Sequence, residues 1–179
     1  MHPQHAGVEL LFQFKDAGTT VKIASWNVNS VRARLQNILE WLSYSEIDVL
    51  LIQEIKCIAV QFPRLEFESL GYEVALNGQK SYNGVAILSK LPMSEIVMGL
   101  PNYVEDGQSR YIEANVSGIV FSSIYLPNGN PIKSDKFNYK IVDLSAAATG
   151  CMVFDYLHFA RSGKPCLLYT SDAADERLR

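Results

Sequence analysis

Val21-Lys-Ile-Ala-Ser-Trp-Asn-Val-Asn-Ser30, answered about one helix further on by Ile47-Asp-Val-Leu-Leu-Ile-Gln-Glu54, sets the architecture of this chain. Both are apolar runs of strand length that end in polar groups, Asn27 with Asn29 in the first and Gln53 with Glu54 in the second. Between them Leu35, Ile38, Leu39 and Leu42 recur at helical spacing, with Ser30 placed to cap the helix and Arg32, Arg34 and Glu40 among its polar positions. The continuous apolar run Ile47 to Ile52 is the pattern of a strand buried on both faces. A strand–helix–strand unit follows. Were the two strands neighbours, their C-terminal ends would bring an amide and a carboxylate to one edge, where ligands of α/β sheets collect.

Towards the N-terminus, a small apolar cluster from Val8 to Phe14 precedes Lys15-Asp-Ala-Gly-Thr-Thr20, which reads as a linker. Residues 1–20 are therefore expected as an extension outside the fold. Towards the C-terminus, a loop carrying Lys56 and Cys57 leads to a short helix around Pro63 to Leu70, closed by Gly71. Strands are expected at 73–76, 85–88, 95–97, 111–116 and 119–125, separated by Asn77-Gly78, Asn83-Gly84 and Ser117-Gly118. These short strands read as an antiparallel meander. After Tyr125-Leu-Pro-Asn-Gly-Asn130 a helix is expected over Lys133 to Arg161, with Phe137, Ile141, Leu144, Ala148 and Met152 on its stripe, ending at Ser162-Gly-Lys-Pro165.

The 179 residues, 48% hydrophobic and 20% charged, suit a globular domain with a real core. A formal charge of −3 gives no basic stripe of the kind nucleic-acid binders usually carry, although enzymes that hold metals with carboxylates are often acidic. The three cysteines show no CxxC spacing, which argues against a disulfide framework or a zinc site and for a reducing cytoplasm. No apolar run approaches the ~20 residues of a membrane span, and the N-terminus lacks signal-peptide character. A soluble, cytoplasmic monomer without a membrane partner is expected.

Glu54 is the most informative carboxylate. A carboxylate at the end of a buried strand is costly unless paired or bound to a cation, and Mg2+ prefers such oxygen ligands while leaving room for substrate phosphate. Taken alone, Gln-Glu also fits a solvent-exposed strand end. Asn27 and Asn29 read equally as turn residues, Tyr125 as a packing tyrosine, and Arg32 and Arg34 as a solvated helix face. Lys80 and Arg110 are cations near turns. His2, His5 and His158 are not credible ligands, being in the extension or the expected helix.

Ser25-Trp-Asn-Val-Asn-Ser-Val-Arg-Ala-Arg34, Asp48-Val-Leu-Leu-Ile-Gln-Glu-Ile-Lys-Cys57, Gly71-Tyr72, Tyr82-Asn-Gly-Val-Ala-Ile-Leu-Ser89, Arg110-Tyr-Ile-Glu-Ala114, Tyr125-Leu-Pro-Asn-Gly129 and Lys136-Phe-Asn-Tyr-Lys140 together resemble the exodeoxyribonuclease III / apurinic-apyrimidinic (AP) endonuclease family. The blocks run in order from Val21 to Pro165. The resemblance implies an α+β fold, the N-terminal part of a four-layered αββα sandwich. It also implies a Mg2+- or Mn2+-dependent phosphodiesterase that repairs double-stranded DNA by incision at abasic sites and trimming of damaged 3′ ends. By position it makes Glu54 the metal ligand, Asn27 a site amide for metal or phosphate, and Tyr125 and Asn128 catalytic. Arg32, Arg34, Lys80 and Arg110 fall in or near blocks that face DNA.

The family pattern continues into Gly-Asp-x-Asn and Ser-Asp-His, and neither occurs here. Cys166-Leu-Leu-Tyr-Thr-Ser-Asp-Ala-Ala-Asp-Glu176 instead resembles the translation of a transposase sequencing adaptor read through in frame. On that reading residues 21–165 are a truncated domain, 166–179 a non-native tail, and the chain lacks its catalytic base. Two other readings compete. One is a phosphoesterase of the same superfamily acting on inositol phosphates or sphingolipids; the other is a non-catalytic fragment that binds DNA weakly.

Overall fold

The computed structural model describes residues 8–16, 19–100, 107–126 and 152–153. Strand β1 (Val8–Asp16) runs antiparallel to β2 (Thr19–Asn27), from Asp16 opposite Thr19 to Val8 opposite Trp26. Residues 8–16 therefore belong to a sheet, and the expectation of an extension outside the fold is corrected for them. Of the segment read as a linker, Lys15 and Asp16 belong to β1 and Thr19 and Thr20 to β2. The apolar cluster of β1 has the length of a strand, and pairing with β2 gives its backbone groups partners.

β2 passes through Asn29 and Ser30 into helix α1 (Val31–Ser45), where Ser30 Oγ accepts a hydrogen bond from Ala33 N–H at 3.4 Å. Glu46 ends the helix in the left-handed conformation, and Asp48 Oδ2 accepts from Lys22 N–H at 2.7 Å as the chain turns into β3 (Val49–Gln53). β2 and β3 pair in parallel, Ile23 opposite Val49 through Asn27 opposite Gln53, so the anticipated strand–helix–strand unit is present. Helix α2 (Arg64–Glu68) follows a short 3₁₀ turn at Ala59–Gln61, and Gly71 relieves its exit at φ 84°. β4 (Glu73–Asn77) and β5 (Val85–Ser89) complete a five-stranded sheet in the order β1-β2-β3-β5-β4.

β6 (Met93–Met98), β7 (Tyr111–Val116), β8 (Ile119–Ile124) and β9 (Met152–Val153) form a second sheet in that order. The expected meander is thus divided. Its pairings are antiparallel as anticipated, but β4 and β5 join the first sheet and β6 to β8 the second. The helix expected over 133–161 lies outside the described residues except at Met152 and Val153. These two pair in parallel with Phe121 and Ser122, so helix is the wrong state there. The stripe weakens at that point, just after Gly150 and at a β-branched valine.

Period-two alternation builds two cores on the first sheet. Ala24, Trp26, Leu50, Ile52, Ala86 and Leu88 face Ile38, Trp41 and Phe67 of the helices, with the two tryptophan rings meeting edge-on at 5.5 Å. On the opposite face Val21, Ile23, Val49, Leu51, Val85 and Ile87 pack against Ile112, Ala114, Val116 and Phe121 of the second sheet. Helices, sheet and sheet are three layers of a sandwich. Every residue of β3 and β5 is buried, as the unbroken apolar run of β3 requires. Among the described residues no helix is long and apolar enough to cross a membrane.

Candidate active site

At the C-terminal end of β3 neighbouring residues take opposite directions. Gln53 points between the sheets, where Nε2 donates to Ser25 Oγ and to Ser123 Oγ of β8, both at 3.2 Å, and Ser123 Oγ donates to the Ile52 carbonyl at 3.0 Å. Gln53 therefore ties one sheet to the other. Glu54, one residue on, turns out to the edge. Sequence reading treated the two as one polar unit; the end of β3 at Gln53 and the left-handed turn at Glu54 separate them.

The corner after Gln53 is held in an unusual backbone state. Glu54 and Lys56 both lie in the left-handed region, at φ 54° and 52°, and so do Asn29 and Asn83, at 45° and 48°. Non-glycine residues persist there only when their surroundings hold them. Ser30 N–H donates to the Glu54 carbonyl at 2.8 Å and Val31 N–H to that of Ile55 at 3.2 Å. Ile55 N–H and Lys56 N–H donate to the carbonyls of Gly84 and Asn83, both at 3.0 Å. Gly84 is required there: a Cβ at its position would lie 2.4 Å from Ile55 Cγ1.

With the backbone so fixed, four side chains converge. Asn27 Nδ2 donates to Glu54 Oε1 at 2.7 Å, and the Lys56 ammonium lies 2.9 Å from Glu54 Oε2. Lys56 also donates to Asn29 Oδ1, while Asn29 N–H donates to Asn27 Oδ1 at 3.1 Å. Asn27 thereby orients Glu54 through its NH2 and anchors the following turn through its oxygen. From the second sheet Tyr125 adds a hydroxyl that hydrogen-bonds to Glu54. Burial, then the Glu54 charge and this hydrogen bond, push the Tyr125 phenol up to about 12, with the Arg110 guanidinium pulling the other way. At neutral pH Tyr125 is thus a protonated donor.

The structure brings together Asn27, Glu54 and Tyr125, with Arg110 beside them, and adds Asn29 and Lys56. Arg32 and Arg34 are exposed in the first turn of α1, and Lys80 is exposed in the β4–β5 loop. Asn128 lies outside the described residues. Lys56 was visible only as a loop cation, since its value comes from the paired left-handed turns that aim it and Glu54 at each other. Next in the chain, Cys57 is a buried free thiol, pushed up by burial while Arg32 pulls it down.

A carboxylate at this edge, with the amide oxygens of Asn27 and Asn29 nearby but bonded to Asn29 N–H and Lys56, is hard-donor chemistry that suits Mg2+ or Mn2+, which need only one or two protein carboxylates when phosphate completes the shell. Among the described residues no group of three His, Cys, Asp or Glu side chains gathers. Glu54 could supply one ligand of such an ion, not a cage.

The sequence profile of the Endonuclease/Exonuclease/phosphatase family matches residues 24–171, and the chain belongs to that family. Its members are generally divalent-metal dependent. The chain is 38% identical over 96 residues to exodeoxyribonuclease III of Haemophilus influenzae, an overlap of 54% of this chain and 36% of that protein. It is 29% identical over 112 residues to an exodeoxyribonuclease of Bacillus subtilis, covering 60% and 43%. Among solved structures, the 3′ phosphatase NExo from Neisseria, bound to a product DNA hairpin, superposes with a TM-score of 0.67 at 38% identity, over 70% of this chain and 49% of that one. An AP endonuclease from Archaeoglobus fulgidus gives 0.66 at 38% identity, with the same coverages of 70% and 49%. The superpositions identify the two packed sheets as part of the αββα sandwich. The chain spans between 36% and 43% of the length of these curated relatives.

Proposed function

We propose that this chain carries the metal-and-phosphate wall of a DNA-repair phosphodiesterase of the exodeoxyribonuclease III / AP endonuclease type, acting in the cytoplasm on double-stranded DNA with abasic sites or damaged 3′ ends. The observation that carries the reading is the convergence of Asn27, Lys56 and Tyr125 on Glu54. Glu54 would hold Mg2+ or Mn2+, which supplies Lewis-acid stabilisation of a phosphodiester undergoing in-line attack. Asn27 fixes the carboxylate rotamer, and Tyr125, which keeps its proton, donates towards phosphate oxygen. Arg32, Arg34, Lys80 and Arg110 face the DNA backbone, and Asn128 approaches the scissile phosphate. Lys56 balances the Glu54 charge. Neither Glu54, engaged by Asn27, Lys56 and Tyr125, nor Tyr125, which stays protonated, is free to take a proton from the attacking water. The base is assigned to the remainder of the domain.

A duplex with one abasic site, offered beside an inositol polyphosphate and sphingomyelin, tests this. The chain is expected to bind the duplex more tightly with Mg2+, to lose that gain in Glu54→Gln, and to leave the duplex uncut. A polypeptide continuing past Pro165 through the rest of the domain should incise it. Hydrolysis of the inositol phosphate or the lipid without preference for DNA would overturn the substrate assignment. Efficient incision by these 179 residues alone, abolished in Glu54→Gln, would overturn the assignment of the base.

A further inference from the structure

We infer that Asn83 is a positioning residue, the centre of a polar clasp that aligns the Glu54 wall of the site on the first sheet with the Arg110–Tyr125 wall on the second. Asn83 is buried although it sits in a loop, and it adopts φ 48°. Its Nδ2 donates to Gln79 Oε1 at 2.9 Å and to Gln108 Oε1 at 2.7 Å. Gln79 Oε1 also accepts from Ser109 N–H at 3.1 Å, Gly84 N–H donates to the Ser109 carbonyl at 2.8 Å, and Ser109 Oγ donates to the Gly78 carbonyl at 3.3 Å. The β4–β5 loop is thereby fastened to the segment entering β7.

From this centre two short bonded paths reach the site. On one side the Asn83 carbonyl accepts from Lys56 N–H and the Gly84 carbonyl from Ile55 N–H, both at 3.0 Å, fixing the left-handed corner that aims Glu54 and Lys56. On the other, Ser109 leads directly into Arg110, whose carbonyl accepts from Tyr125 N–H at 2.9 Å. Besides the clasp, the two walls are related through the apolar core, the Gln53 tie and the Asn77 Nδ2 bond to the Tyr111 carbonyl at 3.0 Å, none of which touches the corner after Glu54; without the clasp that corner would lose the partner that holds it in a strained state. Buried polar groups wired to several partners fix one arrangement in this way, because each partner left unmade is costly.

The consequence for catalysis rests on the phosphodiesterase reading; the clasp itself does not. Asn83→Asp keeps the shape and tolerates the left-handed backbone but replaces the donor with an acceptor facing two amide oxygens. Gln79 cannot turn its amide to meet it without abandoning Ser109 N–H. Amide hydrogen exchange in Asn83→Asp is expected to quicken about tenfold at both Lys56 and Tyr125, the factor that losing roughly one net hydrogen bond brings, while Leu50, Ile52 and Ile87 keep wild-type rates. Mn2+ binding that Glu54→Gln removes should weaken several-fold. If the aspartate variant does not fold, Gln108→Ala, which deletes one acceptor at the clasp's far end, is expected to give a smaller acceleration at the same two amides. Acceleration confined to residues 79–84 and 107–109, in either variant, overturns the clasp. Accelerated exchange with unchanged Glu54-dependent Mn2+ binding overturns its positioning role. Absence of any Glu54-dependent Mn2+ binding in the wild type would sink the metal reading, while the exchange data would still decide the clasp.

Discussion

Glu54 and Gln53 are adjacent in sequence and opposite in use, and single substitutions should separate them. Gln53→Leu removes the amide that ties Ser25 to Ser123 and leaves buried hydroxyls with fewer partners. A loss of about 1–3 kcal/mol in urea unfolding is expected, by a mutation that leaves the Glu54 carboxylate in place. Gly84→Ala should be at least as damaging, because the new methyl meets Ile55 Cγ1 at 2.4 Å and the residue sits at φ 84°. About 2–4 kcal/mol is expected in the same assay. Tyr125 carries a pH signature. In the folded chain it is pushed up to about 12, above the 10.0 of a free phenol, so its contribution to stability is fully present below pH 10 and is lost as pH rises towards 12. Unfolding free energy measured across that window should fall more steeply in the wild type than in Tyr125→Phe. Equal slopes would show that the phenol does not feel Glu54.

The elements were largely legible because each has its own period. The β2–α1–β3 unit could be read from two apolar runs around a helical stripe, and β4 to β8 from glycine-containing turns. Their distribution between two sheets could not, since short alternating strands specify a buried face but not which sheet lies across it. Glu54, Asn27 and Tyr125 could be picked out as strand-end polar groups, and the family resemblance named them. Asn83 read only as a turn signal because its value depends on Gln79 and Gln108, which approach it through tertiary contact. β1 was missed for the converse reason, its apolar cluster lacking a visible partner until β2 supplies one. At the start of α1, Ser30 combines a cap with φ 95°, so the cap substitutions should diverge. Ser30→Ala loses the cap and keeps the strain, costing about 1 kcal/mol or more. Ser30→Gly loses a long cap bond but relieves the backbone, and thermal unfolding should show it within about 0.5 kcal/mol of wild type.

Across the molecule, the site lies at the seam between two sheets and inherits its geometry from their packing. Phe121 is fully buried in the inter-sheet core. Phe121→Ala should cost about 3–5 kcal/mol, and it should loosen Tyr125 together with Glu54, whereas an equivalent truncation at Phe67 of α2, in the core between helices and first sheet, should lower stability and leave their mutual geometry intact. Fluorine labels on Tyr125 would distinguish the two. Cys57 gives the seam a reporter of its own. Its thiol is buried in the helix-side core next in sequence to the left-handed Lys56, its pKa is raised, and the Cys57 carbonyl is so closely approached that a Cβ on Gly78 would lie 2.6 Å from it. Alkylation requires an exposed thiolate, so the rate at which iodoacetamide modifies Cys57, followed by peptide mass mapping, measures how often the corner breathes. The chain thus carries a chemical clock three residues along from the carboxylate on which its proposed chemistry depends.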